Sequence, residues 1–247
     1  MDKNMNRRKK YMAVQVLGDP WDTVTGCTKI SAGCRECYAE KFTGWINRMH
    51  NTDKYKAGFG VVVCHDDVLE VPTKRRKPKA YFVNSMADTF HKDVTEEFVK
   101  KIFAVMNGCP RHTFQLLTKR TDRMVQLCSQ LTYTDNIWQG VSVESDKYIH
   151  RIDDLRKVPA RIRFVYFEPL IGAVGKLNLD GIHWAIVGGE SGGGTHRFRP
   201  MAVQWVRAIR DQCVAAGVKF VFKQYAGKRP ESLGRELDGR VWDEWPS

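Results

Sequence analysis

The sequence predicts an α/β fold, a partial or complete (β/α) barrel built on parallel strands. Three observations predict it. Short apolar runs of β type recur along the 247 residues, segments with helical spacing lie between them, and nearly every run ends in a charged or hydrogen-bonding residue. Strands alternating with helices make βαβ units and a parallel sheet. Barrels of this kind keep their chemistry at the C-terminal strand ends, which accounts for the third observation.

The strands are expected in order at Tyr11–Leu17, Gly60–Cys64, Ala80–Val83, Thr113–Leu117, Ile137–Val143, Arg163–Phe167, Trp184–Val187 and Lys219–Phe222. Continuous apolar runs such as WAIV suit strands buried on both faces. The first helix runs through Phe42, Trp45, Ile46 and Met49. A second, over Val94–Asn107, spaces Phe98, Ile102, Val105 and Met106 along one face, and Thr95 with Glu96 and Glu97 marks its start. Thr121–Gln130 and Val203–Ala216 read the same way, with Gly217 as the stop of the last. Residues 1–10 form a basic extension, residues 11–226 the barrel, and residues 227–247 a surface tail.

Composition narrows the function. Lys and Arg total 40 against 28 Asp and Glu, a formal net charge of +12, which favours a polyanionic partner and nucleic acid first. No apolar run is long enough for a transmembrane helix, and the polar, basic start is unlike a secretory signal. A cytoplasmic protein with no membrane partner is expected. There, the seven cysteines favour metal binding or catalysis over disulfides.

The strand ends supply a polar mouth. After Val83 come Asn84, Ser85, Met86, Ala87 and Asp88; after Leu117, Thr118, Lys119 and Arg120; after Val143, Glu144. Glu168 follows Phe167, Glu190 lies in the glycine-rich run 188–194, and Lys223 and Gln224 follow Phe222. Polar loops end any strand, but so many in succession favour a binding site. Lys119 is suited to a carboxylate or phosphate. Cys64, at the end of an apolar run, reads as a buried small hydrophobe.

The strongest signal is Cys27, Cys34 and Cys37, spaced C-x6-C-x2-C between the first strand and the first helix. Three thiolates hold three irons of a [4Fe–4S] cluster and leave the fourth iron open. Zinc is the alternative, with His50, Cys64 or His65 as a fourth ligand, although none sits at the tight spacing of a structural site.

A three-cysteine loop after the first strand of an α/β barrel resembles the radical S-adenosylmethionine (SAM) superfamily. Trp21-Asp22-x-Val24-Thr25-Gly26-Cys27, Cys34-x-x-Cys37-Tyr38-Ala39-Glu40, Asn84-Ser85-Met86-x-Asp88, Gly189-Glu190-Ser191-Gly192 and Phe222-Lys223-Gln224 resemble a narrower group within it. That group is the phage-associated family of uncharacterised radical-SAM-like proteins, distantly similar to spore photoproduct lyase. The sequence departs from the commonest superfamily pattern in its first gap, six rather than three, and in placing Glu36, not an aromatic residue, before the third cysteine.

The resemblance implies that Cys27, Cys34 and Cys37 ligate a [4Fe–4S] cluster, that SAM binds its open iron, and that an external electron donor reduces it. SAM cleavage then yields a 5′-deoxyadenosyl radical that abstracts a substrate hydrogen. It implies SAM contacts from Tyr38, Asn84, Ser85, Asp88, Glu144 and Glu168, and substrate-facing roles for Cys64, Lys119, Glu190 and Lys223. A nucleic-acid base fits the charge, such as a modified thymidine in phage DNA, flipped from the duplex. A radical SAM enzyme on a small metabolite or peptide, and a zinc-stabilised nucleic-acid-binding protein without catalysis, are the alternatives. The basic groups Lys74–Lys79, Lys119–Arg123, Arg156–Arg163, Arg197 with Arg199, and Lys228 with Arg229 are expected to ring the mouth.

Overall fold

A computed structural model describes residues 17–50, 53–193, 197–230 and 232–246. Strands β1 (Asp19–Trp21), β4 (Ala80–Val83), β5 (Thr113–Thr118), β6 (Ile137–Ser142), β7 (Arg163–Phe167), β8 (Trp184–Gly188) and β9 (Lys219–Gln224) form one sheet in the order β1-β4-β5-β6-β7-β8-β9. Every neighbouring pair is parallel, so all seven C-terminal ends lie on one rim. Helices α1 (Tyr38–His50), α2 (Glu96–Asn107), α3 (Thr121–Cys128), α4 (His150–Arg156) and α5 (Val203–Ala216) complete the α/β fold. Thr95 caps α2 by accepting from the Phe98 N–H at 3.2 Å, and Gly217 ends α5 in the left-handed region at φ 70°.

The side-chain clusters show the curl. Alternate residues on the inner face, Phe164, Tyr166, Trp184, Ile186 and Val221, pack into one small cluster with Phe82, Leu117 and Trp138, so residues from β4 through β9 meet on the concave side. The larger core joins the opposite face of the sheet to Val99 and Ile102 of α2, Leu127 of α3, Leu155 of α4 and Ile209 of α5. β1 and β9 are the two ends of the strand order, so the result is a partial (β/α) barrel.

Three expectations need correction. The first strand is Asp19–Trp21; the stretch expected for it lies outside the described residues except for Leu17, as does the basic extension at 1–10. The run Gly60–Cys64 contributes only β3 (Val63–Cys64), which pairs antiparallel with β2 (Val24–Thr25) outside the main sheet. A parallel place beside β4 would need a crossover of a dozen or more residues, usually helical. The link from Cys64 to Ala80 contains Pro72 and Pro78 and forms only turns and a 3-10 turn.

The segment expected as a surface tail instead edges the sheet. After the hairpin β10 (Glu236–Leu237) and β11 (Arg240–Val241), the chain bonds along β9 through Phe222 N to Trp242 O and Glu244 N to Phe220 O. Trp245 then packs on Trp184 with ring centroids 4.7 Å apart, at the N-terminal end of β8. This covers an edge strand that would otherwise offer unpaired backbone groups. Among the described residues, no helix is long and apolar enough to cross a membrane.

Candidate functional site

The rim formed by the seven C-terminal strand ends carries the cysteine loop. Gly26 turns the chain into it at φ 85°, and a side chain there would collide with the Val61 carbonyl, so glycine is required. Cys27, Cys34 and Cys37 are all half-buried and free of disulfides. Arg120, just after β5, reaches Cys27 Sγ at 3.6 Å and donates to Thr28 O at 2.8 Å. Burial and the charge of Asp88 push the Cys27 thiol up, and Arg120 opposes them. At Cys34 burial also acts upward, but Lys119, the Ser31 hydroxyl and the backbone of Ile30 and Ser31 outweigh it, and the thiol lies below its ordinary value. Cations facing cysteines are the setting in which thiolates form.

The loop between Cys27 and Cys37 is held by three side chains, those of Glu144, Tyr148 and Arg199. Ser31 Oγ donates to Glu144 Oε1 at 2.5 Å, and the Ala32 N–H donates to Tyr148 Oη at 3.0 Å. Arg199 Nη1 donates to Ala32 O at 2.8 Å. Gly33 lies so close to Glu144 that an added Cβ would come within 2.5 Å of its side chain. Glu144 is fully buried and pairs with buried Arg151 at 2.9 Å, whose guanidinium stacks 4.4 Å from the Tyr148 ring centre. Glu144, expected to reach the SAM ribose, therefore has both carboxylate oxygens engaged inside the protein as a clamp on the cysteine loop.

Four of the other expected SAM contacts, Asn84, Ser85, Tyr38 and Asp88, are also internally engaged, and the fifth, Glu168, belongs to a separate group. Asn84 sits at φ 57° and accepts at Oδ1 from Thr23 N, Thr23 Oγ1 and Val24 N, while Nδ2 donates to Thr89 Oγ1. Ser85 Oγ donates to Asp22 at 3.0 Å. Tyr38 Oη donates to the Ser85 carbonyl at 2.5 Å, although the residue as a whole is exposed. Asp88 accepts from Thr118 Oγ1 at 2.7 Å and from the backbone of Phe90 and Lys119. Chain reversals leave backbone donors without ladder partners, and these side chains satisfy them.

A second group lies on the inner face. Lys223 Nζ donates to Tyr166 Oη and to Glu168 Oε1, each at 2.9 Å, and Gln224 Nε2 approaches the same Oε1 at 3.3 Å. Burial works against the Lys223 charge, but Glu168 and Tyr166 overcome it and hold the ammonium above its ordinary value. Burial, with the charge of Glu168, pushes the Tyr166 phenol up. Glu168 Oε2 and Gln224 Oε1 are buried without a hydrogen-bond partner, which marks a polar spot with spare acceptors.

Glu190 is buried against Arg199, the residue that also grips the cysteine loop. Cys64 lies apart from the rim cations, with Asp66 and Lys101 as its charged neighbours, and burial pushes its thiol up. Sequence reasoning missed Ser31, Tyr148, Arg151, Asp22 and Tyr166. Two had a signal: Asp22 lies in the motif Trp21-Asp22-x-Val24, and Tyr166, two residues before Glu168 on a strand, shares that residue's face.

The basic groups divide between the two ends. Lys119–Arg123 and Arg199 stand on the cysteine side. Lys74–Lys79 precedes β4 and Arg156–Arg163 precedes β7, which puts both at the N-terminal strand ends, opposite the cysteines. The expectation that all the basic loops ring the mouth is thus corrected, because a segment entering a parallel strand cannot lie where that strand exits.

A family model described as protein of unknown function (DUF5131) matches residues 13–246. The chain belongs to this family. A comparison with curated proteins finds no match. Among solved structures, the DUF5131 chain is similar to spore photoproduct lyase complexed with dinucleoside spore photoproduct, at 13% identity and a TM-score of 0.47, over 78% of this chain and 60% of that one. A mutant of the same enzyme with bound AdoMet and dinucleoside spore photoproduct gives 12% identity, a TM-score of 0.46 and the same coverage. The chain thus spans 60% of the length of those structures.

Proposed function

We propose that this DUF5131 chain is a radical SAM enzyme acting on a nucleic-acid base, with modified thymidine in DNA as the substrate class. The observation that supports it most is the placing of three free thiols on one loop at the C-terminal rim of a (β/α) sheet, with Lys119 and Arg120 turned toward them. The donor set suits a [4Fe–4S] cluster with one open iron. Among the described residues no three His, Cys, Asp or Glu side chains already converge on one point.

When bound, such a cluster supplies the electron that cleaves SAM and starts hydrogen abstraction from the substrate. The chain's own residues do the rest. Cys27, Cys34 and Cys37 hold iron; Glu144, Tyr148 and Arg199 fix the loop between them. Tyr38, beside Ser85 at the end of β4, flanks the cofactor. Glu168 and Gln224 supply polar contacts for the bound base, and Lys223 pairs with Glu168 at 2.9 Å. Lys119 neutralises a carboxylate or phosphate that enters the rim. An external donor supplies electrons, and the free cysteines suit the reducing cytoplasm.

The test is anaerobic incubation with SAM, a reductant and DNA carrying modified thymidines, followed by nucleoside mass spectrometry. The reading expects 5′-deoxyadenosine and an altered modified nucleoside. A colourless protein that holds zinc and leaves SAM intact would make the loop a structural site instead.

A further inference from the structure

Among the described residues, the densest run of positive charge lies away from the cysteines and without a use in the proposed chemistry. Lys74, Arg75, Arg76 and Lys77 are all exposed on the loop that enters β4. None has an ion-pair partner among the described residues, whereas Lys79 pairs with Asp19, Lys101 with Asp66, Lys157 with Asp154 and Arg161 with Asp135. At the rim the cations are largely engaged: Arg120 on Thr28, Arg199 on Glu190, Lys223 on Glu168.

The loop is also built to hold its shape. Arg111 donates from Nε to Arg75 O at 2.8 Å and from Nη2 to Thr73 O at 2.9 Å. The buried His112 places Nε2 3.0 Å from Pro72 O and 3.1 Å from Arg75 O. These bonds turn the loop carbonyls inward, and the cationic side chains are exposed. Exposed Arg111 adds a fifth charge; Glu70, tied to Thr73 Oγ1 at 3.0 Å, is the acid nearest the run in sequence, with Asp66 and Asp67 earlier in the link. Bare, clustered cations on a fixed backbone bind phosphates with little ordering cost. The three guanidiniums favour phosphodiesters, which they grip through paired donors. An acidic membrane would call for large apolar anchors beside the charge, and Val71 is the one exposed large hydrophobic residue of this loop.

We infer that the loop Lys74–Lys77 with Arg111 is a second nucleic-acid contact, gripping the phosphate backbone at the end of the barrel opposite the chemistry. The inference extends the proposed action on a base, but its first test needs neither cluster nor SAM. Strands of four to six residues separate the two ends. At about 3.3 Å per residue that is about 13–20 Å, or about 4–6 base pairs of duplex rise. A polymer can reach both ends, and a dinucleotide cannot.

The experiment compares wild type with the combined variant Lys74→Ser, Arg75→Ser, Arg76→Ser, Lys77→Ser, as full chains, by fluorescence anisotropy on a 20-base-pair duplex and on a dinucleotide. Four lost phosphate contacts should flatten the salt dependence of duplex binding by about 3.6 in log–log slope, so that raising salt from about 50 to 200 mM weakens wild type about 100-fold more than the variant. Dinucleotide binding should not change. An unchanged melting temperature is the check that the variant folds. Equal duplex affinity and slope in the two proteins would overturn the inference, as would unchanged duplex binding with lost binding to phosphatidylserine vesicles. Neither result bears on the cysteine loop, since SAM cleavage is scored separately in both proteins.

Discussion

Glu144 separates two accounts of the rim, and the variant Glu144→Ala tests them. The carboxylate is fully buried, accepts from Ser31 Oγ at 2.5 Å and faces buried Arg151 at 2.9 Å. Its removal leaves the guanidinium with the Ser142 carbonyl at 2.8 Å and the Tyr148 ring, but without its counter-charge. Breaking a buried pair from one side costs about 3–5 kcal/mol. For a chain of this size that is a fall in melting temperature of about 6–20 °C. Loss of the Ser31 hydrogen bond also frees the turn that carries Cys34, so iron loading should fall with it. The double variant Glu144→Ala, Arg151→Met should recover part of the stability, because no unpaired charge stays inside. Thermal denaturation, followed by iron assay of the reconstituted proteins, reads both. A variant with unchanged melting temperature and iron content, but weakened SAM binding, would refute the clamp and return Glu144 to the ribose.

Other substitutions probe the remaining parts. Gly33→Ala should lower iron loading as Glu144→Ala does, since its Cβ would come within 2.5 Å of Glu144; unaltered loading would show that the turn has slack. Asn84→Ala removes the acceptor of three donors at φ 57° and should destabilise by about 2–4 kcal/mol in denaturant titration. In protein without a cluster, iodoacetamide should alkylate Cys34 before Cys27 near pH 8, because Lys119 lowers the one thiol while burial and Asp88 raise the other. Lys119→Met should narrow that difference in a peptide-mapped time course. Lys223→Met leaves Glu168 without its cation; substrate turnover should fall more than SAM cleavage in the absence of substrate, and equal losses would place Lys223 at the cofactor instead.

The sheet strands from β4 to β9 were legible because their apolar runs are continuous and bounded by polar ends. Their C-terminal residues marked the rim correctly for the same reason, since parallel strands put all such ends together. The run at Gly60–Cys64 looked alike, but the link to β4 is broken by Pro72 and Pro78 and forms turns rather than a crossover helix. The last segment read as a tail because Gly, Pro and charge dominate it; Leu237, Trp242 and Trp245 are few, yet they carry the packing. Partners within the site were out of reach. Ser31 and Glu144 are 113 positions apart, and nothing local ties them. The side of the basic loop was legible in principle, because Lys74–Lys79 enters a strand that Asn84 leaves.

The most direct test of the account is electron paramagnetic resonance of the anaerobically reconstituted, dithionite-reduced protein, recorded before and after SAM is added, for wild type and Cys34→Ala. A reduced [4Fe–4S] signal that shifts on SAM addition in wild type and is missing from the variant is the predicted result. A signal indifferent to SAM, or one equally strong in Cys34→Ala, would contradict the claim that this loop holds a cluster with an open iron.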